Sequence, residues 1–171
     1  MRRMKLTSIT FVVLLSFALG FGATLWPSDD AFAQLPKADK LVVYKAKRTL
    51  HLMRKGWVIR SYAIRLGDHP KGQKIFEHDG RTPEGSYIID GRNAKSQFHL
   101  SLHIDYPKAE HVARAAKYNT SAGGAIFIHG TPGKGKRYAG DWTNGCIAVL
   151  NHEIEEIWRA VDDGTPIEIR P

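Results

Sequence analysis

The chain has 171 residues, 43% hydrophobic and 25% charged, with 25 Lys and Arg against 17 Asp and Glu, a formal charge of +8. That length suits one domain with one core, and a single cysteine, Cys146, excludes an internal disulfide. The cations are scattered and form no arm, so nucleic acid is not an expected partner; the excess charge serves solubility or attraction to an anionic cell envelope.

In chain order, the first element is a leader. Arg2, Arg3 and Lys5 precede an uncharged run from Ile9 to Trp26, and Ala31-Phe32-Ala33 closes the segment before Gln34. A positive start, an apolar middle and a small-x-small end predict a secretory signal peptide over residues 1–33, cleaved after Ala33. The run is also about long enough to span a bilayer, so an uncleaved anchor is the alternative. Export to the periplasm or cell envelope is expected, with membrane contact only through an uncleaved leader. Without the leader the charge remains about +7.

Residues 34–40 read as a linker, with Pro36 blocking regular pairing, and residues 41–171 as one β-rich domain. Leu41–Tyr44 and Leu50–Met53 have the composition of a hairpin, and Trp57–Ile64 is a longer β-branched run. Glycine and proline punctuate a loop-rich stretch from Gly67 to Gly85, after which Tyr87–Ile89 resumes a strand. Phe98, Leu100, Leu102 and Ile104 alternate with His99, Ser101, His103 and Asp105, the pattern of a half-buried strand.

A helix is predicted after Pro107, its buried face set by Ala109, Val112, Ala113 and Ala116. The apolar run Ala125–Ile128 ends in His129 and Gly130, and Ile147–Leu150 follows Cys146 as another short strand. A second helix is predicted from an Asn151 N-cap through Ile154, Ile157, Trp158 and Val161, with Gly164 as its stop. Pro166–Arg170 closes the chain as a strand. The fold class is mainly β with two short helices.

Two residues point to chemistry. The thiolate is the reactive form of cysteine, and at an ordinary pKa it needs a base or a positive field. His129 lies seventeen positions before Cys146, at a strand end beside a glycine loop, and histidine titrates in the right range. Gly145 lets the backbone turn tightly and bring N–H groups near a reacting carbonyl. Read by composition alone, Cys146 is equally a buried, inert thiol opening a strand. His99 and His103 would line a groove on the polar strand face or stand in solvent. At about 13 Å apart along a strand they would not share a metal ion. Tyr138 and Trp142 would stack on a ligand or pack in the core, and Lys134, Lys136 and Arg137 lie on the loop between base and thiol.

The spacing of Ile128-His129-Gly130 and Thr143-Asn144-Gly145-Cys146 resembles the YkuD family of L,D-transpeptidases. Pro83-Glu84-Gly85-Ser86-Tyr87, Tyr106-Pro107 and Gly123-Gly124 resemble its YafK-like branch. The resemblance implies a mixed-sheet β-sandwich acting on peptidoglycan stem peptides, with no metal and no organic cofactor. It implies that Cys146 attacks the diamino-acid carbonyl at the third stem position and expels the terminal D-alanine. His129 would be the base, oriented by the Gly130 carbonyl. Thr143, Asn144 and Gly145 would build the oxyanion loop, with backbone N–H groups from Asn144 to Cys146 as donors.

The thioester would pass to an amine, to an envelope lipoprotein or to water, giving a transpeptidase, or a carboxypeptidase or amidase as the alternative. Two positions depart from the family pattern. Asn144 stands where a histidine is common, and Ala148 where an arginine or asparagine is frequent. They put the acceptor in doubt and keep a non-catalytic wall-binding module as a third reading.

Overall fold

β1 (Lys40–Tyr44) and β2 (Thr49–Arg54) form the expected hairpin, and β3 (Trp57–Ala63) adds to it antiparallel. The computed structural model describes residues 35–133 and 139–171; the predicted leader, Lys134, Lys136, Arg137 and Tyr138 lie outside the described residues. The fold takes hold just before β1, where the N–H of Ala38 donates to the Ala160 carbonyl at 2.8 Å and that of Asp39 to Met53 at 2.9 Å.

The sheet has eight strands in the order β3-β2-β1-β8-β4-β5-β6-β7, with β4 at Gly85–Asn93, β5 at Ser101–Ile104, β6 at Phe127–His129, β7 at Ile147–Ala148 and β8 at Pro166–Arg170. The β1–β8 and β6–β7 pairs are parallel and the rest antiparallel. β4 serves two neighbours. Gly85–Ile88 pair with β8 and Ile89–Asn93 with β5, the β5 pairing shifting register between Ile89 and Gly91. A bulge raises local twist, so this curled mixed sheet changes direction there and folds over its own core. Leu41, Val43, Leu50 and Leu52 from one end meet Leu102, Ile104, Ile128 and Ile147 from the other. Each fully buried Leu or Ile contributes about 1.5–3 kcal/mol relative to exposure.

Two elements differ from expectation. β5 starts only at Ser101, because His99 takes a left-handed φ of 73° and turns its ring to Glu155. In α1 (Ala109–Ala116) the predicted face Ala109, Val112, Ala113 and Ala116 is exposed, while His111 and Ala115 are buried. The cause is polar. His111 Nδ1 accepts the N–H of Lys108 at 3.0 Å, so its Nε2 carries the proton and donates to the Tyr87 hydroxyl at 3.1 Å. That hydroxyl in turn donates to the Glu84 carbonyl at 3.0 Å. α2 (Asn151–Ala160) buries Ile154, Ile157 and Ala160, much as its pattern predicts.

The loop from Gly67 to Gly85 is anchored from below by a buried lysine. Lys45, 2% exposed, donates through Nζ to the carbonyls of Gly72 and Thr82 at 2.6 and 2.9 Å and to the Glu84 carboxylate at 2.9 Å. Burial lowers its pKa, which the Glu84 contact opposes.

Candidate active site

Parallel pairing of β6 with β7 sets Ile128 opposite Ile147 and His129 opposite Ala148. Cys146 stands immediately before β7, so the histidine that ends one strand and the cysteine that opens the next come to one place. Both line a cavity of about 480 Å³, together with Lys95, Gln97, Phe98 and Ser101.

His129 is 3% exposed, with the Phe98 ring 4.5 Å from its own and the Trp142 ring edge-on at 5.6 Å. Its Nδ1 lies 2.6 Å from the Gly130 carbonyl. A carbonyl can only accept, so Nδ1 bears the proton and Nε2 keeps its lone pair. Burial lowers the pKa of His129, and the Gly130 hydrogen bond only partly restores it. The imidazole is therefore neutral near pH 7.

Gly130 has no room for a side chain. A Cβ there would stand 2.6 Å from Asn151 Oδ1 and 2.9 Å from the Phe98 carbonyl. That close approach lets Asn151 accept the N–H and the hydroxyl of Thr131, at 2.7 and 3.0 Å. Asn151 thus holds the backbone just past His129, while Leu150 takes the N-cap position expected for it.

Cys146 is partly buried, and its thiol points to the Ala125 carbonyl at 3.5 Å. Burial raises its pKa, against smaller lowering effects from the Phe127 backbone and the Lys74 charge. At rest the pair is a thiol and a neutral imidazole.

The segment before Cys146 is fastened on both sides. Residues 65–67 hold it through Arg65 and Ala148, whose N–H and carbonyl groups exchange two bonds of 2.8 Å. The Leu66 carbonyl accepts the N–H groups of Trp142 and Thr143, both at 3.0 Å. Asp141 accepts from the Leu66 N–H at 2.9 Å and from the Arg48 guanidinium at 2.6 Å. Inside the loop, Thr143 Oγ1 donates to the Cys146 carbonyl at 2.8 Å and accepts the Gly145 N–H at 3.2 Å. The Gly145 N–H is therefore engaged within the loop. Gly145 itself has φ 117°, and a Cβ on it would stand 2.6 Å from the Arg81 carbonyl.

Asn144 is exposed on this loop. The two strand histidines do not join the cavity. His99 faces Glu155 at 2.7 Å, and His103 pairs with Asp90 and meets the Phe127 ring edge-on at 4.9 Å. Trp142 backs His129 and lines a separate cavity of about 190 Å³ with Arg65, Thr131, Ala148 and Glu153. Lys95, Gln97, Phe98 and Ser101 line the cavity and Asn151 braces its edge, although the sequence marks none of them as a site residue. Ser101 had a readable sign, lying on the same polar strand face as His99 and His103; the others depend on how the β4–β5 connection and α2 fall in space.

No curated protein matches the chain in sequence. Among solved structures, the helical cell shape determining protein Pgp2 from Campylobacter jejuni is 24% identical with a TM-score of 0.59, over 76% of this chain and 46% of its own. Bd1075 from Bdellovibrio bacteriovorus is 21% identical with a TM-score of 0.55, over 80% and 51%. An L,D-transpeptidase from Mycobacterium smegmatis is 14% identical with a TM-score of 0.51, over 77% and 58%. The chain thus spans about half the length of these proteins and shares their fold. The L,D-transpeptidase catalytic domain family, YkuD, matches residues 38–169, from just ahead of β1 into β8, and the chain belongs to that family.

Proposed function

We propose that this chain is an exported enzyme that acts on peptidoglycan stem tetrapeptides through a thioester on Cys146 and transfers the acyl group to an amine. The observation that carries the reading is the hold of the Gly130 carbonyl on His129 Nδ1, which leaves Nε2 free to act as a base beside the only thiol in the chain.

Cys146 Sγ would attack the carbonyl at the third stem position as His129 Nε2 takes the thiol proton. Charge develops together on sulfur, imidazole and the carbonyl oxygen, which suits a site whose resting groups are neutral. The bond to the terminal D-alanine then breaks, and the imidazolium returns its proton to the departing amine. An incoming amine attacks the thioester, gives a proton to His129 and leaves the amide, while the sulfur is reprotonated. Binding of the stem carboxylates is assigned to Lys95, with Gln97 and Ser101 as hydrogen-bonding neighbours.

Export through the leader, periplasmic location and a lipoprotein acceptor belong to the same proposal, as does any part in cell shape. Hydrolysis is the second reading, favoured by the amide and hydroxyl groups of Gln97 and Ser101 in the cavity wall, which would hold water near the thioester. Tetrapeptide muropeptides incubated with and without an amine acceptor separate the two by mass. Dimers or exchanged D-amino acids mean transfer; tripeptides mean hydrolysis. A carbapenem adduct on Cys146, absent in Cys146→Ala, is expected in either case. An unacylated thiol with no product would overturn the proposal and leave the wall-binding module.

A further inference from the structure

Beneath the Cys146 turn lies an ion pair that the chemistry above does not use. The side chains of Lys74 and Asp79 are each 3% exposed, with Nζ 2.8 Å from Asp79 Oδ1. A buried pair of this kind adds little net stability, because desolvation offsets its attraction. Its value must be sought in what it holds in place.

Five further contacts tie the pair to its loop. Lys74 Nζ donates to the Phe76 carbonyl at 3.1 Å, and Asp79 accepts the N–H groups of Ile75, Phe76 and Arg81 at 2.7, 3.3 and 3.0 Å. The Lys74 N–H is itself fixed to Gln73 Oε1 at 2.8 Å. Burial pulls the Asp79 carboxyl up, but Lys74 and the N–H groups outweigh it and hold it below its ordinary value.

The loop so formed meets the chain on either side of Cys146 in space, at Gly145 and at the segment leading to Ala125. The Arg81 carbonyl is the surface against which Gly145 makes its left-handed turn. On the other side, the Glu77 N–H donates to the Ser121 carbonyl at 2.8 Å, and the Glu77 side chain packs on Gly123. Two residues on, the Ala125 carbonyl receives the thiol of Cys146.

We propose that the Lys74–Asp79 pair is a positioning device for Cys146: it builds the floor that fixes Gly145 and Ala125, and it sets the Lys74 ammonium group near the thiol. The inference rests on Cys146 being the nucleophile proposed above. The charge of Lys74 reaches the thiol and opposes the effect of burial. Among the described residues, the other titratable or charged groups near the thiol are His129 across the cavity, Lys95 on its wall, and Arg81 and Asp79 in the loop below. With water excluded from the pair, salt screens its field only weakly.

The test is the pH profile of iodoacetamide alkylation of Cys146 in the full chain, which reads the thiol whether or not the protein is a transpeptidase. Lys74→Met is expected to alkylate severalfold more slowly at pH 7 and to move the midpoint up. Asp79→Asn, which leaves the cation unopposed, is expected to move it down. Lys74→Arg keeps the charge and is expected to stay near the wild-type midpoint. Shifts of opposite sign mark a field; general loosening of the loop would move both variants the same way and overturn the proposal. Unchanged midpoints in folded variants would overturn it as well. Should Lys74→Met not fold, the downward shift in Asp79→Asn is still required. If wild type makes no product from stem peptides yet the midpoints shift as stated, the transpeptidase reading fails and the positioning role stands.

Discussion

Asn151, the first residue of α2, receives both the N–H and the hydroxyl of Thr131, two positions beyond His129. One side-chain oxygen thereby joins a helix start to the strand end that carries the proposed base. Asn151→Leu removes both bonds and leaves two donors without partners, a loss of about 1–3 kcal/mol. Thermal unfolding should show that cost. The rate of Cys146 acylation should fall further than the lost stability explains, since His129 loses the backbone support that directs its ring.

Replacing Gly145 with alanine tests the turn itself. A Cβ there meets the Arg81 carbonyl and must adopt a φ that side chains rarely accept. Gly145→Ala is expected to cost about 1–3 kcal/mol by denaturant unfolding. Carbapenem acylation should be lost even in the folded fraction, because the backbone next to the thiol is displaced.

The buried imidazoles give stability a pH dependence. His129 and His111 both have pKa values lowered by burial, so the unfolded chain binds protons more readily than the folded one. Their contribution is complete above the ordinary histidine pKa of about 6.5 and is lost as pH falls through the lower folded values. Urea unfolding from pH 8 down to pH 5 should show stability falling with acid. His111→Gln should flatten the curve. A slope that persists in His111→Gln and His129→Gln together would place the effect elsewhere.

His129→Ala is expected to leave a folded chain whose turnover drops about 10²–10⁴-fold, the usual worth of a positioned general base. The control is His103, tied to Asp90 outside the cavity lining. A half-exposed pair contributes about 0–1 kcal/mol, so His103→Ala should keep turnover near wild type. Strong loss there would return His103 to the groove.

How much of this could be read beforehand depends on whether local pattern decides the outcome. β1, β3 and β8 each carry two Val or Ile residues, β2 alternates Leu with polar positions, and all four lie where expected. Cys146 and His129 were visible because the thiol is solitary and the histidine ends an apolar run. The buried face of α1 was not, since His111 is polar by composition and becomes interior only through Tyr87, a partner 24 positions away. Asn151 has the composition of a cap and spends its oxygen on a loop 20 positions away. Lys74 resembles any loop lysine until the chain folds Asp79 against it. Such residues act through contacts that no periodicity announces.

The partial burial that raises the Cys146 pKa bears on how the thiol would fare in the oxidising compartment that the proposed export implies. Peroxides and small disulfides consume thiolates far faster than thiols. A sulfur that keeps its hydrogen until a carbonyl arrives is a poor target for them. The same burial that slows casual damage leaves removal of the thiol proton to a base close by, which the proposed role of His129 supplies once a carbonyl is in place.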